Sequence, residues 1–151
     1  MTATAHTATV HNTAAAHTEA ATAPAFWGPA ALAAVGASAA TSAVAAVARA
    51  ADVSLAVGGE QIPVAGFATL TLICVVIGVV FAAVLRRWAS NPRVAFVRTS
   101  IVVAALSLFP DVLADAAVDT KLTLMLTHLV AAAIVIPVIA ARLARRQTPR
   151  N

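Results

Sequence analysis

One uninterrupted apolar run limits what this chain can fold into more than any other feature. After Pro63 the sequence reads VAGFATLTLICVVIGVVFAAVL, which is 22 residues without a charge. At a rise of about 1.5 Å per residue, a helix of this run is about 33 Å long, enough to cross a hydrocarbon core of about 30 Å. Arg86 and Arg87 end the run and Trp88 follows, as is typical of a membrane interface. The run predicts a transmembrane helix over about residues 63–85.

The rest of the chain has a composition that a water-soluble domain rarely shows. Of all residues 61% are hydrophobic and 11% are charged, whereas about a quarter of the residues of a soluble domain are charged. Too few polar side chains remain to cover a surface in water. The fold class that follows is an all-α, integral membrane four-helix bundle. The four helices are predicted over about residues 29–48, 63–85, 92–118 and 121–141.

Two terminal segments lie outside the predicted transmembrane domain of residues 29–145. Residues 1–28 are nearly all Ala, Thr and His, without helical or strand periodicity and without the basic start of a secretory signal. We therefore expect a disordered tail. Phe26 and Trp27 suit an anchor at the membrane interface. Residues 146–151 form a basic C-terminal tail.

The first hydrophobic segment is the weakest of the four because most of its residues are alanine. Its faces Ala33/Ala37 and Gly36/Ala40 have the small-xxx-small spacing that lets helices approach closely. We interpret it as a spanning helix that its neighbours support, and a helix lying on the membrane surface is the alternative. The same faces are candidates for association with a second copy of the chain.

The basic residues predict the orientation in the membrane. Only Arg49 and Lys121 lie on one side of the four segments. The other side has eight arginines, namely Arg86, Arg87, Arg93, Arg98, Arg142, Arg145, Arg146 and Arg150. By the positive-inside rule, this asymmetry predicts that residues 86–98 and both termini are cytoplasmic in a bacterial plasma membrane. The charge pattern does not indicate nucleic-acid binding, because no nucleic-acid-binding motif accompanies it.

Two segments in the second half of the chain indicate a resemblance to a known family. The segment LSLFPDVLADAA, followed after a short turn by LMLTHLVAAAIVIPVIAARL, is similar to a group of small actinobacterial four-helix membrane proteins, a domain of unknown function numbered 6069. The resemblance covers about residues 29–145. It implies a fold and a membrane location, but no chemistry.

Ionisable residues inside this apolar half are the candidate site. Asp111 and Asp115 are four residues apart and Lys121 and His128 seven apart, so each pair would share one helix face. Counted from Arg98, Asp111 and His128 should both lie about 10 Å below the outer interface, on neighbouring antiparallel helices. Because such groups are costly against lipid, we expect them to face the interior and each other. Pro110 predicts a kink beside Asp111.

This arrangement leaves three interpretations open. The first is a structural network, in which the carboxylates pair with Lys121 and His128. The second is an entry site for protons or cations, since intramembrane acid–histidine pairs are typical of such sites. The third is a metal site or a metal-dependent membrane enzyme, with Asp111, Asp115 and His128 as ligands.

The dry runs LICVVIGVVFAAVL and AAAIVIPVIAA favour a binding role, because they leave no continuous polar path across the bundle. We therefore predict an accessory or structural subunit without catalysis of its own and without a cofactor. Its expected partners are the lipid bilayer and either a second copy or a larger membrane complex. A proton- or ion-conducting protein, or a small transporter, is the alternative.

Overall fold

The computed structural model describes residues 24–144, and its architecture is four long helices with one short β-hairpin. The helices are α1 (Pro24–Ala50), α2 (Val64–Trp88), α3 (Pro92–Leu113) and α4 (Val118–Ala144). The hairpin consists of β1 (Ala56–Val57) and β2 (Glu60–Gln61), which pair antiparallel between α1 and α2.

All four helices are long and apolar enough to cross a membrane. Large hydrophobic side chains are exposed along them, including Leu32 on α1, Ile77 on α2 and Leu106 on α3. Such side chains are stable on the outside of the bundle only where lipid replaces water. The chain is therefore an integral membrane four-helix bundle, as its sequence predicts.

The helices run alternately up and down, so the bundle has two different ends. The arginine end carries Arg86, Arg87, Arg93, Arg98 and Arg142. The hairpin end carries the β-hairpin and the turn of residues 114–117 between α3 and α4. Helix α1 packs most extensively against α4 and α2, and α3 packs mainly against α4. Helix α3 is the least enclosed, because only Phe96 and Asp111 are buried along it.

The larger core cluster fills the half of the bundle that leads to the arginine end. It brings together residues of all four helices: Phe26, Ala30, Ala34, Ala37, Val75, Val79, Ala82, Phe96, Val135, Ile139, Ala140 and Leu143. Alanine on α1 lets the larger side chains of α2 and α4 approach its backbone closely. Ala37 of α1 and Ala82 of α2 are fully buried. This half of the bundle is apolar and closely packed.

A smaller cluster closes the hairpin end. Leu55, in the connection after α1, is fully buried against Ala45 and Phe67. Its backbone is left-handed, with φ at 49°, a conformation that costs a non-glycine residue about 1–2 kcal/mol. Burial of the leucine side chain is worth about 1.5–3 kcal/mol, so it offsets that cost. Leu55 therefore fills the space between α1 and α2 at the hairpin end.

The N-terminal boundary of the first helix differs from the sequence prediction. Residues 24–28 were expected in the disordered tail, yet α1 begins at Pro24 and continues through Pro29. The reason is tertiary packing: Phe26 is 4% exposed within the large cluster, and the Arg86 guanidinium lies over its ring at 5.0 Å. Phe26 is thus a core residue rather than an interfacial anchor. The predicted tail over residues 1–23 lies outside the described residues.

The end of the third helix also differs from the prediction. Helix α3 was expected to reach residue 118, but it ends at Leu113 because Ala114 is extended, with φ −56° and ψ 143°. Asp115 therefore lies in the turn and does not share a helical stripe with Asp111. The helix does continue through Pro110 to Leu113.

The predicted interfacial tryptophans and the small residues of α1 differ in whether they face the outside or the interior of the bundle. Trp27 and Trp88 are exposed, as an interfacial position requires. Ala33 and Ala37 point into the bundle, so this face of α1 is used internally and is closed to a second copy. Gly36 is exposed, and nothing lies within 4 Å of the position of a Cβ there. Arg145 and Arg146 lie beyond the described residues.

Candidate functional site

Asp111 of α3 and His128 of α4 are in direct contact. The distance from His128 Nδ1 to Asp111 Oδ2 is 2.9 Å. The predicted proximity of these two residues is therefore confirmed. The expectation that both side chains face the interior holds only for Asp111, which is buried, because the His128 side chain is 41% exposed. The pair thus has one enclosed member and one member that is half open to the outside of the bundle.

The position of the proton on His128 follows from its neighbours. Nδ1 also lies 3.0 Å from the Leu124 carbonyl oxygen, one helical turn earlier. A carbonyl oxygen can only accept a hydrogen bond, so the bond between Nδ1 and Leu124 requires the tautomer that carries its proton on Nδ1. The hydrogen-bond geometry favours the carbonyl, since no donor is aligned with the buried Asp111 Oδ2. The contact with Asp111 is a close electrostatic approach rather than a well-aligned hydrogen bond.

The turn between α3 and α4 brings the two residues level. Asp111 lies only two residues before the end of α3, whereas His128 lies ten residues, or about 15 Å, into α4. Residues 114–117 continue beyond the end of α3 before the chain reverses. Helix α4 therefore starts above α3 and must descend for about three turns before His128 meets Asp111.

Lys121 and Asp115 hold the same region without joining the pair. Lys121 Nζ donates to the Val112 carbonyl at 3.0 Å, one of the last carbonyls of α3 that lack a partner within the helix. The side chain of Asp115 is exposed, while its backbone carbonyl accepts from Gly58 N–H at 2.8 Å. The hairpin end of α3 is thus tied to the rest of the bundle by polar contacts.

The ligand set considered for a metal is not assembled in this structure. Within residues 24–144, no three side chains of His, Cys, Asp or Glu converge into a group that could hold an ion. Asp115 lies in the turn rather than on the helical face of Asp111, which removes the third ligand. Asp111 and His128 supply only two.

The sequence reasoning missed a stripe of buried threonines on α4. Thr120, Thr123 and Thr127 are all buried, and their spacing of three and four places them on one helix face. Thr123 and Thr127 donate to backbone carbonyls of their own helix at 2.8 and 2.7 Å. The spacing was the available signal. Their role is to pack a small polar face against neighbouring helices.

A partly buried pair of hydroxyl groups links two other helices. Thr41 on α1 is 1% exposed, and its Oγ1 is 2.9 Å from Oγ1 of Thr71 on α2. Thr41 Oγ1 also lies 3.2 Å from the Ser38 carbonyl and donates to it. Hydrogen bonds of this kind hold transmembrane helices together where the hydrophobic effect contributes little.

Comparison with known proteins places the chain in a family. The model of a family of unknown function, DUF6069, matches residues 21–145. The chain belongs to this family. The matched residues include all four helices and the Asp111–His128 pair. A search of curated proteins and of solved structures found no match.

Proposed function

We propose that this protein is a small multi-pass subunit of the bacterial plasma membrane, which works by binding another membrane protein rather than by catalysis. Both termini are cytoplasmic in this proposal, and the hairpin end faces outside. The orientation is supported by the arginines, since all those described except Arg49 lie at one end.

The observation that carries the proposal is the dry packing between the Asp111–His128 pair and the arginine end. Val135, Ile139 and Leu143 of α4 are buried there against residues of the other three helices. No ionisable residue occurs in α4 between His128 and Arg142, or in α3 between Arg98 and Asp111. A conduit for protons or ions needs polar groups or water across this layer. Packing of this kind is that of a scaffold.

The binding surface in this proposal lies on α3 and the adjoining part of α4. Helix α3 exposes large apolar side chains such as Phe109 along most of its length. Beside it, His128 is half exposed at a level where polar groups are costly against lipid. A transmembrane helix of the partner, offering an acceptor or donor to the outer ring nitrogen of His128, would cover both features. That helix is the occupant we propose.

Purification from native membranes in a mild detergent tests this proposal. We expect a complex with one partner at fixed stoichiometry, and we expect His128→Ala to weaken it. Leu32→Ala, which removes an equally exposed apolar side chain from α1, is the matched control. Recovery of the protein alone, as a monomer, would count against the proposal.

A second candidate function rests on the Asp111–His128 pair itself. Asp111 Oδ2 is enclosed without an aligned donor, and the imidazole beside it is half open. This combination suits a site where protons or cations enter from outside. The test is ion flux into proteoliposomes containing the purified protein. Flux that Asp111→Asn abolishes and Asp115→Asn leaves intact would establish this function in place of the first.

A further inference from the structure

The outer surfaces of α1 and α4 leave a groove between them near the hairpin end. Its volume is about 520 Å³, within the range of about 300–1,000 Å³ that is typical of small-molecule sites. Ala43, Val47 and Ala48 of α1 line one wall, and Leu122 and Leu126 of α4 line the other. The groove exists because the alanines of α1 are too small to fill the space beside these leucines.

The groove is charged only at the hairpin end. Asp119 lies in the first turn of α4, and Leu126 lies seven residues, or about 10 Å, deeper along the same helix. The other polar residue of the lining is Thr123, whose hydroxyl already donates to the Asp119 carbonyl at 2.8 Å. The Asp119 carboxylate is therefore the one charged group on the lining among the described residues.

The Asp119 carboxylate is paired with no cation in the part of the chain that the structure describes. Its Oδ1 accepts from the backbone N–H of Thr120 at 2.7 Å, and the ion pair within residues 24–144 joins two other side chains. The basic residues of the hairpin end, Arg49 and Lys121, donate instead to the Gln61 side chain and to a backbone carbonyl. A cation from outside the described chain can therefore approach Asp119.

The groove opens toward the hydrocarbon of the membrane. Val47 on one wall and Leu122 on the other are both largely exposed, so a ligand can enter sideways from the bilayer. The apolar walls suit an alkyl chain. The carboxylate at the hairpin end favours a cationic head and repels the phosphate of an ordinary phospholipid. The charge and the apolar walls together thus define the chemistry of the ligand.

We propose that this groove binds an amphiphile with one alkyl chain and an ammonium head, with the chain between α1 and α4 and the head beside the Asp119 carboxylate. Lipid chains are as apolar as the walls of the groove, so the charge supplies the selectivity. The site is independent of the binding role proposed for α3. His128, which belongs to that role, lies two residues after Leu126 and therefore about 200° around α4.

The test follows brominated amphiphiles at the groove by fluorescence quenching. In the full chain, Trp27 and Trp88 are replaced by phenylalanine, and Leu126→Trp places a single indole in the groove wall. The protein is reconstituted into phosphatidylcholine vesicles. Amphiphiles with the same dibrominated alkyl chain and either an amine or an alcohol head are then added. The amine should quench the indole at a concentration about two- to fivefold lower than the alcohol, as expected for one partly exposed ion pair.

Matched variants separate the carboxylate from the shape of the groove. Asp119→Asn should remove the preference for the amine, whereas Glu60→Gln, at the same end but outside the lining, should keep it. Ala43→Leu should reduce quenching by both amphiphiles because it fills the groove. Ala39→Leu, at an exposed position of α1 outside the lining, should leave quenching unchanged. Leu106→Trp on α3, as a second reporter, measures each amphiphile in the surrounding bilayer and corrects for unequal partitioning.

Three results would overturn the proposal. Equal quenching by the amine and the alcohol after that correction would mean that the groove takes ordinary lipid chains only. A preference for the amine that survives Asp119→Asn would mean that the acidic surface as a whole attracts it. Quenching of the Leu106→Trp reporter without quenching of the Leu126→Trp reporter would mean that another occupant, such as a second copy of the chain, closes the groove. The comparison of head groups does not depend on Ala43→Leu, so it decides even if that variant fails to fold.

Discussion

The Asp111 carboxylate is buried between two membrane helices, and only its immediate neighbours can stabilise its charge there. The His128 imidazole at 2.9 Å is the one ionisable side chain in contact with it within residues 24–144. Removing one member of a buried pair leaves the other without compensation, and this penalty exceeds the value of the intact pair. The half-open position of His128 reduces the penalty, since water or a headgroup can approach from one side.

A first prediction concerns this pair. His128→Ala should lower the free energy of unfolding in micelles by about 1–3 kcal/mol, because the buried carboxylate loses its partner. The double variant Asp111→Asn/His128→Ala should be less destabilised than the sum of the two single variants. Asp115→Asn is the control and should change stability by less than about 0.5 kcal/mol, as its carboxylate is exposed. Strict additivity would show that the two side chains do not interact.

A second prediction concerns Leu55. Leu55→Ala should destabilise the bundle by about 2–4 kcal/mol, because it empties a fully enclosed space between α1 and α2 while keeping the left-handed backbone. Val57→Ala, in the partly exposed β1 strand, should cost much less. Chemical unfolding followed by circular dichroism measures both. Similar losses of unfolding free energy in the two variants would mean that Leu55 does not fill an enclosed space between α1 and α2.

At the residue scale, the sequence predicts where a charged side chain would be too costly more reliably than it predicts the backbone conformation of single residues. The cost of charges against lipid and the matched depth of two helices predicted that Asp111 and His128 approach each other. The position of Asp115 could not be predicted, because no glycine or asparagine marks the end of α3 and only the extended backbone of Ala114 ends it. The left-handed Leu55 likewise has no local signal, since tertiary packing selects it.

At the scale of elements, α1 shows how neighbours determine a helix. Its alanine-rich sequence is only marginally suited to insertion alone, yet α1 has the largest buried share of the four spans. The sequence predicted that α1 spans with support from its neighbours, and the packing of Ala33 and Ala37 inside the bundle supplies that support. The start at Pro24 was not predictable, because Phe26 has to meet the core formed by residues far along the chain.

A third prediction uses two alanines of α1. Ala37 is fully buried, whereas Ala39, two residues later, is exposed. Ala37→Leu should destabilise the bundle by about 1–3 kcal/mol through overpacking. Ala39→Leu should leave stability nearly unchanged and should improve insertion of α1, since it adds apolar surface toward lipid. Unfolding assays and a glycosylation-reporter insertion assay give the two readouts. If Ala39→Leu destabilised the bundle and Ala37→Leu did not, Ala39 rather than Ala37 would face the interior of the bundle.

At the scale of the whole molecule, charge and apolar length together determine the architecture. Four apolar segments separated by short polar connections specify an up-and-down bundle, and the structure has it. Which helices pack against each other was harder to predict from the sequence, because lipid-facing and core-facing side chains are equally apolar in this chain. The sequence of α3 is that of an ordinary transmembrane helix, and it does not indicate that only two of its side chains are buried.

A fourth prediction tests the orientation. In a Cys74→Ser background, Glu60→Cys should react with a membrane-impermeant thiol reagent added to intact cells, and Ser90→Cys should react only after the cells are opened. The reason is the eight-to-two distribution of basic residues. Thr7→Cys should behave like Ser90→Cys. Labelling of Thr7→Cys in intact cells, with Ser90→Cys protected, would move α1 out of the membrane and leave three spans.

The binding role can be tested most directly by photo-cross-linking in native membranes. Two phenylalanines of α3 form a matched pair, since Phe109 is 65% exposed and Phe96 is 2% exposed. Each is replaced in turn by a photoreactive phenylalanine analogue, and the membranes are illuminated. We expect one discrete adduct with another membrane protein from position 109 and none from position 96. Adducts with lipid alone from position 109, together with a monomeric protein after purification, would contradict it.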